Sequence, residues 1–183
     1  TVRPIRITRP RPAARRVSLN DQARPAPQPS DPIAITLGLP AIAAKVLRLY
    51  GRSYDPVDEI TVTTGATQAI FTTIQALAHP GDEVIVFEPA YDSYVPSVQL
   101  AGATPVPLPL TFPDYRIDWD AVRAALTPRT RFILLNTPNN PGTSVLAAAD
   151  LDELAAIVRH SPIVVIGDEV YEHMVYDGAR HES

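Results

Sequence analysis

The 183-residue chain contains no cysteine, which excludes disulfides and thiolate metal sites. That absence fits a reducing compartment, and a cytoplasmic location is expected. Lysine is nearly absent too: Lys45 is the sole one. No apolar run approaches the roughly 20 residues of a membrane-spanning helix, so no membrane partner is expected. The first residues hold no apolar h-region, so no secretory signal is expected. The four histidines (His79, His160, His173, His181) lack metal-ligand spacing, and no metal site is expected. Gly-x-Ser-x-Gly, Gly-x-Gly-x-x-Gly and Gly-x-x-x-x-Gly-Lys-Ser/Thr are all missing, which argues against an α/β-hydrolase, a dinucleotide-binding protein and a P-loop ATPase.

What is present describes a globular chain. It is 45% hydrophobic and 20% charged, and its length suits a single core. The net charge of −4 is uneven. Seven arginines (3, 6, 9, 11, 15, 16, 24) face one acid, Asp21, in the first 24 residues, giving +6 there and −10 over the rest. Such a head suits a nucleic-acid arm, an organelle transit peptide, or a plain Pro/Ala/Arg-rich extension. It lacks aromatics and any amphipathic period, which favours the plain extension, and no nucleic-acid partner is expected.

Residues 1–40 hold eight of the 20 prolines and are expected to be mostly irregular, with a folded domain over 41–183. Ala41–Tyr50 is rich in helix formers and is stopped by Gly51. Beyond it the signals alternate. Strands are predicted at Ile60–Thr64, Glu83–Phe87, Thr104–Leu108, Arg131–Leu135 and Ile163–Ile166, the third near an edge because of its prolines. Helices are predicted at Ala66–Ala78, Tyr91–Ala101, Asp118–Leu126 (capped by Asp118) and Ala147–His160. This alternation predicts an α/β domain with a mostly parallel sheet, whose ligands sit beyond the carboxyl ends of its strands.

Four segments fall at those ends. Thr64-Gly65-Ala66-Thr67-Gln68-Ala69 leads into a helix whose free N–H groups suit a phosphate; equally, Thr64 or Thr67 simply caps that helix. Phe87-Glu88-Pro89-Ala90-Tyr91 offers an aromatic face for a flat heterocycle, or a core or rim tyrosine, and Tyr94 is a rival aromatic. Asn136-Thr-Pro-Asn-Asn-Pro-Gly142 is a rigid turn in which Asn140 can bond a phenolic oxygen, or turn chemistry alone. Gly167-Asp168-Glu169-Val170-Tyr171 sets an acid pair after a buried strand, which is costly unless the acids serve something. Asp168 can pair with a cationic ring nitrogen or cap the next helix; a Mg²⁺-binding carboxylate would need the missing phosphate loop.

In order and spacing these four segments resemble the class I/II, fold-type I pyridoxal-phosphate (PLP) aminotransferases, in the branch acting on methionine, glutamine, aromatic amino acids or kynurenine. The matching patterns are Gly-Ala-Thr-x-Ala, Pro-x-Tyr, Asn-x-Pro-x-Asn-Pro and Asp-Glu-Val-Tyr, and the likeness runs from about Ala41 onward. The resemblance implies a three-layer α/β sandwich, part of a PLP-transferase large domain. It implies PLP as cofactor, with Gly65, Ala66 and Thr67 on its phosphate, Tyr91 stacked on its ring, Asn140 and Tyr171 on its phenolate oxygen, and Asp168 on its pyridine nitrogen. Amino acids and 2-oxo acids would be the parent enzyme's substrates, and the full-length family forms homodimers.

The departures set further expectations. The family's Schiff-base lysine would lie beyond Ser183, so no catalytic residue is assigned. The substrate-carboxylate arginine would lie there too, and residues 1–37 look unrelated. The expectation is a fragment, inactive by itself, with its last strand left as an open sheet edge. The alternative is a non-catalytic remnant that binds PLP weakly or acts as an interaction module.

Overall fold

A computed structural model of the chain describes residues 6–8 and 33–183, with side chains from residue 38 onward. The chain divides into two compact units, Arg11–Val62 and Thr1–Pro10 with Thr63–Ser183.

In the first unit, helix α1 spans Ile33–Tyr50. Gly51 ends it at φ +64°, a left-handed position that suits glycine, with its N–H on the Leu47 carbonyl at 2.9 Å. The predicted stop is correct, but the start lies eight residues before Ala41. Pro40 sits inside the helix, where it removes one backbone donor without ending the element.

The second unit is a sheet in the order β1-β5-β4-β2-β3. Its strands are β1 (Arg6–Thr8), β2 (Glu83–Glu88), β3 (Thr104–Pro109), β4 (Thr130–Asn136) and β5 (Val164–Asp168). β3, β2, β4 and β5 run parallel, and β1 pairs antiparallel with β5. The helices are α2 (Ala66–Leu77), α3 (Tyr94–Leu100), α4 (Trp119–Ala125) and α5 (Ala148–Val158).

Side-chain alternation along the strands makes two cores. Val84, Val86, Phe132, Leu134, Val164 and Ile166 pack on one face with Ile70 and Ile74 of α2 and Val98 of α3. Ile85, Phe87, Ile133, Leu135 and Val165 pack on the other with Val122 of α4 and Leu154 of α5. This is the expected three-layer sandwich. Each fully buried branched side chain contributes about 1.5–3 kcal/mol.

β3 explains its own prolines. Thr104 and Leu110, at even positions, send their N–H groups toward the β2 side, to Asp82 and Glu88 carbonyls at 2.9 and 2.7 Å. Pro105, Pro107 and Pro109 take the odd positions, whose missing N–H groups would face away from the sheet. The edge placement is as predicted.

Two expectations are corrected. Ile60–Thr64 is not a strand. Its end is held by local bonds instead: Gly65 N–H to Thr63 O at 2.8 Å, Thr63 Oγ1 to Gly65 O at 2.9 Å, and Thr64 N–H to Gln68 Oε1 at 2.6 Å. Within residues 1–40, expected to be mostly irregular, the described residues are β1 and the start of α1. The edge of β5 is not fully open, because β1 pairs with Val165, Ile166 and Gly167. The rest of the basic head lies outside the described residues. Among the described residues, no helix is long and apolar enough to cross a membrane.

Candidate functional site

The parallel register brings the carboxyl ends of β4 and β5 together, with Asn136 beside Asp168. The Asn136 amide donates to the Asp168 carbonyl at 3.0 Å, and its Oδ1 accepts the Asn140 N–H at 2.6 Å. One asparagine thereby ties the 136–142 turn to the end of β5. Within the turn, Asn139 Oδ1 accepts the Gly142 N–H at 2.8 Å. A Cβ at Gly142 would stand 2.7 Å from that same oxygen, so the turn needs glycine there.

Asp168 is 5% exposed. Its Oδ2 accepts the Tyr94 hydroxyl at 2.6 Å, and its Oδ1 accepts the Val170 N–H at 3.1 Å. Burial pushes the carboxyl above its ordinary value of 3.8, and these two hydrogen bonds oppose the rise. Among the described residues no cation pairs with it. Tyr94 is itself pushed upward, first by burial and then by the Asp168 charge. Asp168 is thus a buried acid with lone pairs left over and no positive charge beside it. Glu169, its neighbour, turns elsewhere: it meets His181 Nε2 at 3.0 Å and accepts the Ser183 hydroxyl at 2.8 Å.

The remaining predicted residues lie at the same carboxyl end of the sheet. The Asn140 amide reaches the Tyr171 hydroxyl at 3.4 Å, so two donors from different segments converge and can serve one oxygen. Tyr91 is 39% exposed and its ring meets Tyr94 edge-on at 5.9 Å and 65°. The predicted helix from Tyr91 begins only at Tyr94, which leaves Tyr91 in the turn before α3 with its face available.

Gly65, Ala66 and Thr67 start α2. The helix leads through Pro80-Gly81 into the amino end of β2, so its own amino end lies at the carboxyl end of the sheet. Topology, rather than a hydrogen bond, places it with the others. Gly65 is the N-cap at φ +96°, and no side chain caps the helix. The capping alternative for Thr64 and Thr67 is therefore not realised, and the first-turn N–H groups point outward with the positive end of the helix dipole. A Cβ built at Gly65 meets nothing within 4 Å, so the space beside it is open.

Sequence reasoning missed two residues. Asn136 was read only as the start of a turn, and Tyr94 only as a rival for Tyr91. The available signal was the three-residue spacing of Tyr91 and Tyr94, which puts both side chains on one side of a helical turn.

Comparison with known proteins identifies the family. The family described as aminotransferase class I and II matches residues 34–183. The methionine aminotransferase of Escherichia coli is 46% identical over 143 residues, which cover 78% of this chain and 37% of that protein. Kynurenine–oxoglutarate transaminase 1 of Rattus norvegicus is 40% identical over 147 residues, 74% of this chain and 35% of that one. The solved N-succinyldiaminopimelate aminotransferase of Mycobacterium tuberculosis superposes with a TM-score of 0.75 at 50% identity, covering 78% of this chain and 38% of its own. The chain thus spans 35–37% of the length of the curated relatives it matches. On the family match over residues 34–183, the chain belongs to the class I and II aminotransferase family.

Proposed function

We propose that these 183 residues are the cofactor-holding part of a PLP-dependent aminotransferase, a protein that moves an amino group between an amino acid and a 2-oxo acid. The observation that carries this reading is Asp168: a buried carboxylate, hydrogen-bonded on both oxygens, with no cation beside it among the described residues. A protonated ring nitrogen is the partner it lacks. The uncapped amino end of α2 fits a phosphate, and the Asn140–Tyr171 pair fits a phenolate oxygen.

Bound PLP supplies an electron-poor ring that takes up the electron pair left when an amino acid loses its α-proton. The chain's own residues would prepare that ring. Asp168 holds a proton at the ring nitrogen and so keeps the ring cationic. Asn140 and Tyr171 donate to the phenolate oxygen and fix the ring's rotation. Tyr91 covers one face and excludes water from it. The α2 N–H groups with the Thr67 hydroxyl hold the phosphate. A cytoplasmic, homodimeric parent in amino-acid metabolism fits this reading.

A second reading, a PLP binder without catalysis or an interaction module, is favoured by one observation. The sole lysine, Lys45, belongs to none of the four motifs that carry the candidate site residues. Titration of the chain with PLP, followed by absorbance and ring fluorescence, tests the first reading, and saturable binding that weakens in Asp168→Asn is expected. Borohydride reduction and a coupled assay with methionine or kynurenine test the second. No reduced adduct and no turnover by the 183-residue chain are expected, and turnover above a protein-free blank would overturn the second reading.

A further inference from the structure

We propose that Tyr94 is the positioning residue of this site: its hydroxyl, seated on Asp168 Oδ2, fixes that carboxylate's orientation and holds it charged, while its ring braces Tyr91. The inference rests on the reading of Asp168 as partner of a ring nitrogen.

Tyr94 is 2% exposed and belongs to the core built by Ile70, Ile74, Val98 and Leu134. Its ring therefore has one position, and the hydroxyl is delivered to Asp168 by packing rather than by a flexible side chain. The 2.6 Å separation is that of a strong O–H to carboxylate hydrogen bond. The same ring meets the exposed Tyr91 edge-on. One buried side chain thus touches the residue assigned to the ring's face and the residue assigned to its nitrogen, across 74 positions of sequence.

The electrostatics give the hydroxyl its purpose. Among the described residues, the titratable groups that act on Asp168 are Tyr94 of α3 and Glu169 beyond β5, while Tyr91 and Tyr171 act on Tyr94. α2 carries no titratable residue. None of these groups is a cation, and the Glu169 charge works against ionisation of Asp168. Burial favours the neutral acid, which cannot hold a proton at a ring nitrogen. The Tyr94 hydroxyl and the Val170 N–H are the donors that oppose this, and only the hydroxyl comes from a side chain.

The test is a carbon-13 carboxyl titration of the ligand-free 183-residue chain, labelled at aspartate and glutamate. Tyr94→Phe keeps the ring and its contact with Tyr91 but removes the hydroxyl. Its Asp168 midpoint is expected to rise by about one pH unit. A fluorinated tyrosine at position 94, a stronger donor of nearly the same shape, is expected to move the midpoint down. The Glu83 signal, at the opposite end of the sheet, should not move in either protein and serves as the control for folding. If Tyr94→Phe fails that control, the fluorinated protein decides by itself. Opposite shifts support the positioning role, whereas an unmoved Asp168 midpoint overturns it. Because no PLP is present, that failure is distinct from failure of the parent chain to bind PLP. The latter would overturn the cofactor reading and, with it, the purpose assigned to Tyr94.

Discussion

Two buried carboxylates sit at opposite ends of the same parallel sheet, and their surroundings push them in opposite directions. Glu83 opens β2 at the amino end, where the Thr127 hydroxyl donates to one oxygen and the Arg129 guanidinium to the other. Those hydrogen bonds, Thr127 first and Arg129 next, hold it below its ordinary value of 4.5. Asp168 closes β5 at the carboxyl end, where burial outweighs its two hydrogen bonds and raises it. Glu83 is satisfied by its own chain and completes a clamp between β2 and the turn before β4. Among the described residues Asp168 has no countercharge, and the difference separates a carboxylate that holds the fold from one that fits the proposed ligand site. The helix ends repeat the contrast. Asp118 caps α4 by accepting from the N–H groups of Asp120 and Ala121, whereas α2 has no side-chain cap.

The largest expected effect separates the two acids by binding. Asp168→Asn should weaken PLP binding roughly 10- to 100-fold, the worth of a hydrogen bond to a charged partner. Glu83→Gln should leave that affinity within about twofold. Equal losses in an absorbance titration would erase the distinction.

Next comes the phenolate pair. Asn140→Ala or Tyr171→Phe should each weaken PLP binding by about 2- to 10-fold, the range of one neutral hydrogen bond. If either protein binds as tightly as the parent, that residue does not contact the ring oxygen.

The pH dependence of stability should have opposite signs. Glu83 is lowered in the folded chain, so its contribution is complete above 4.5 and is lost as pH falls through its folded value. Asp168 is raised, so its contribution is complete below 3.8 and is lost as pH climbs through its folded value. Thermal melts across this range should show the parent's advantage over Glu83→Gln shrinking in acid. The advantage of Asp168→Asn over the parent should grow as pH rises above 3.8.

The smallest effect concerns the helix ends. Asp118→Ala should cost about 1 kcal/mol of stability, read from denaturant midpoints, with no change in PLP affinity. Thr67→Ala at the uncapped helix should do the reverse, leaving stability within about 0.5 kcal/mol and lowering affinity.

Most of the sheet was legible because its information is local. Val84-Ile85-Val86-Phe87 and Phe132-Ile133-Leu134-Leu135 are apolar runs of strand length bounded by turn residues, and both of their faces are covered by helices. Asp118 announced its helix by chemistry that acts over three residues. Ile60–Thr64 misled for the same reason: β-branched residues favour a strand, but no neighbouring strand receives them, and Thr63 and Thr64 bond locally instead. The start of α1 escapes the sequence because it falls within residues 1–40, whose eight prolines and lack of a sustained period point to irregular chain.

The sequence by itself singled out the candidate site residues: Gly65, Ala66, Thr67, Tyr91, Asn140, Asp168 and Tyr171 stand in motifs whose order can be read along the chain. Only the tertiary structure decided how those residues are held. Asn136 reaches Asp168 because β4 and β5 pair in one register, and Tyr94 reaches it because α3 packs against that sheet. Burial, which makes Asp168 an acid in need of a cation, belongs to no residue alone; it exists only once the layers have closed around it.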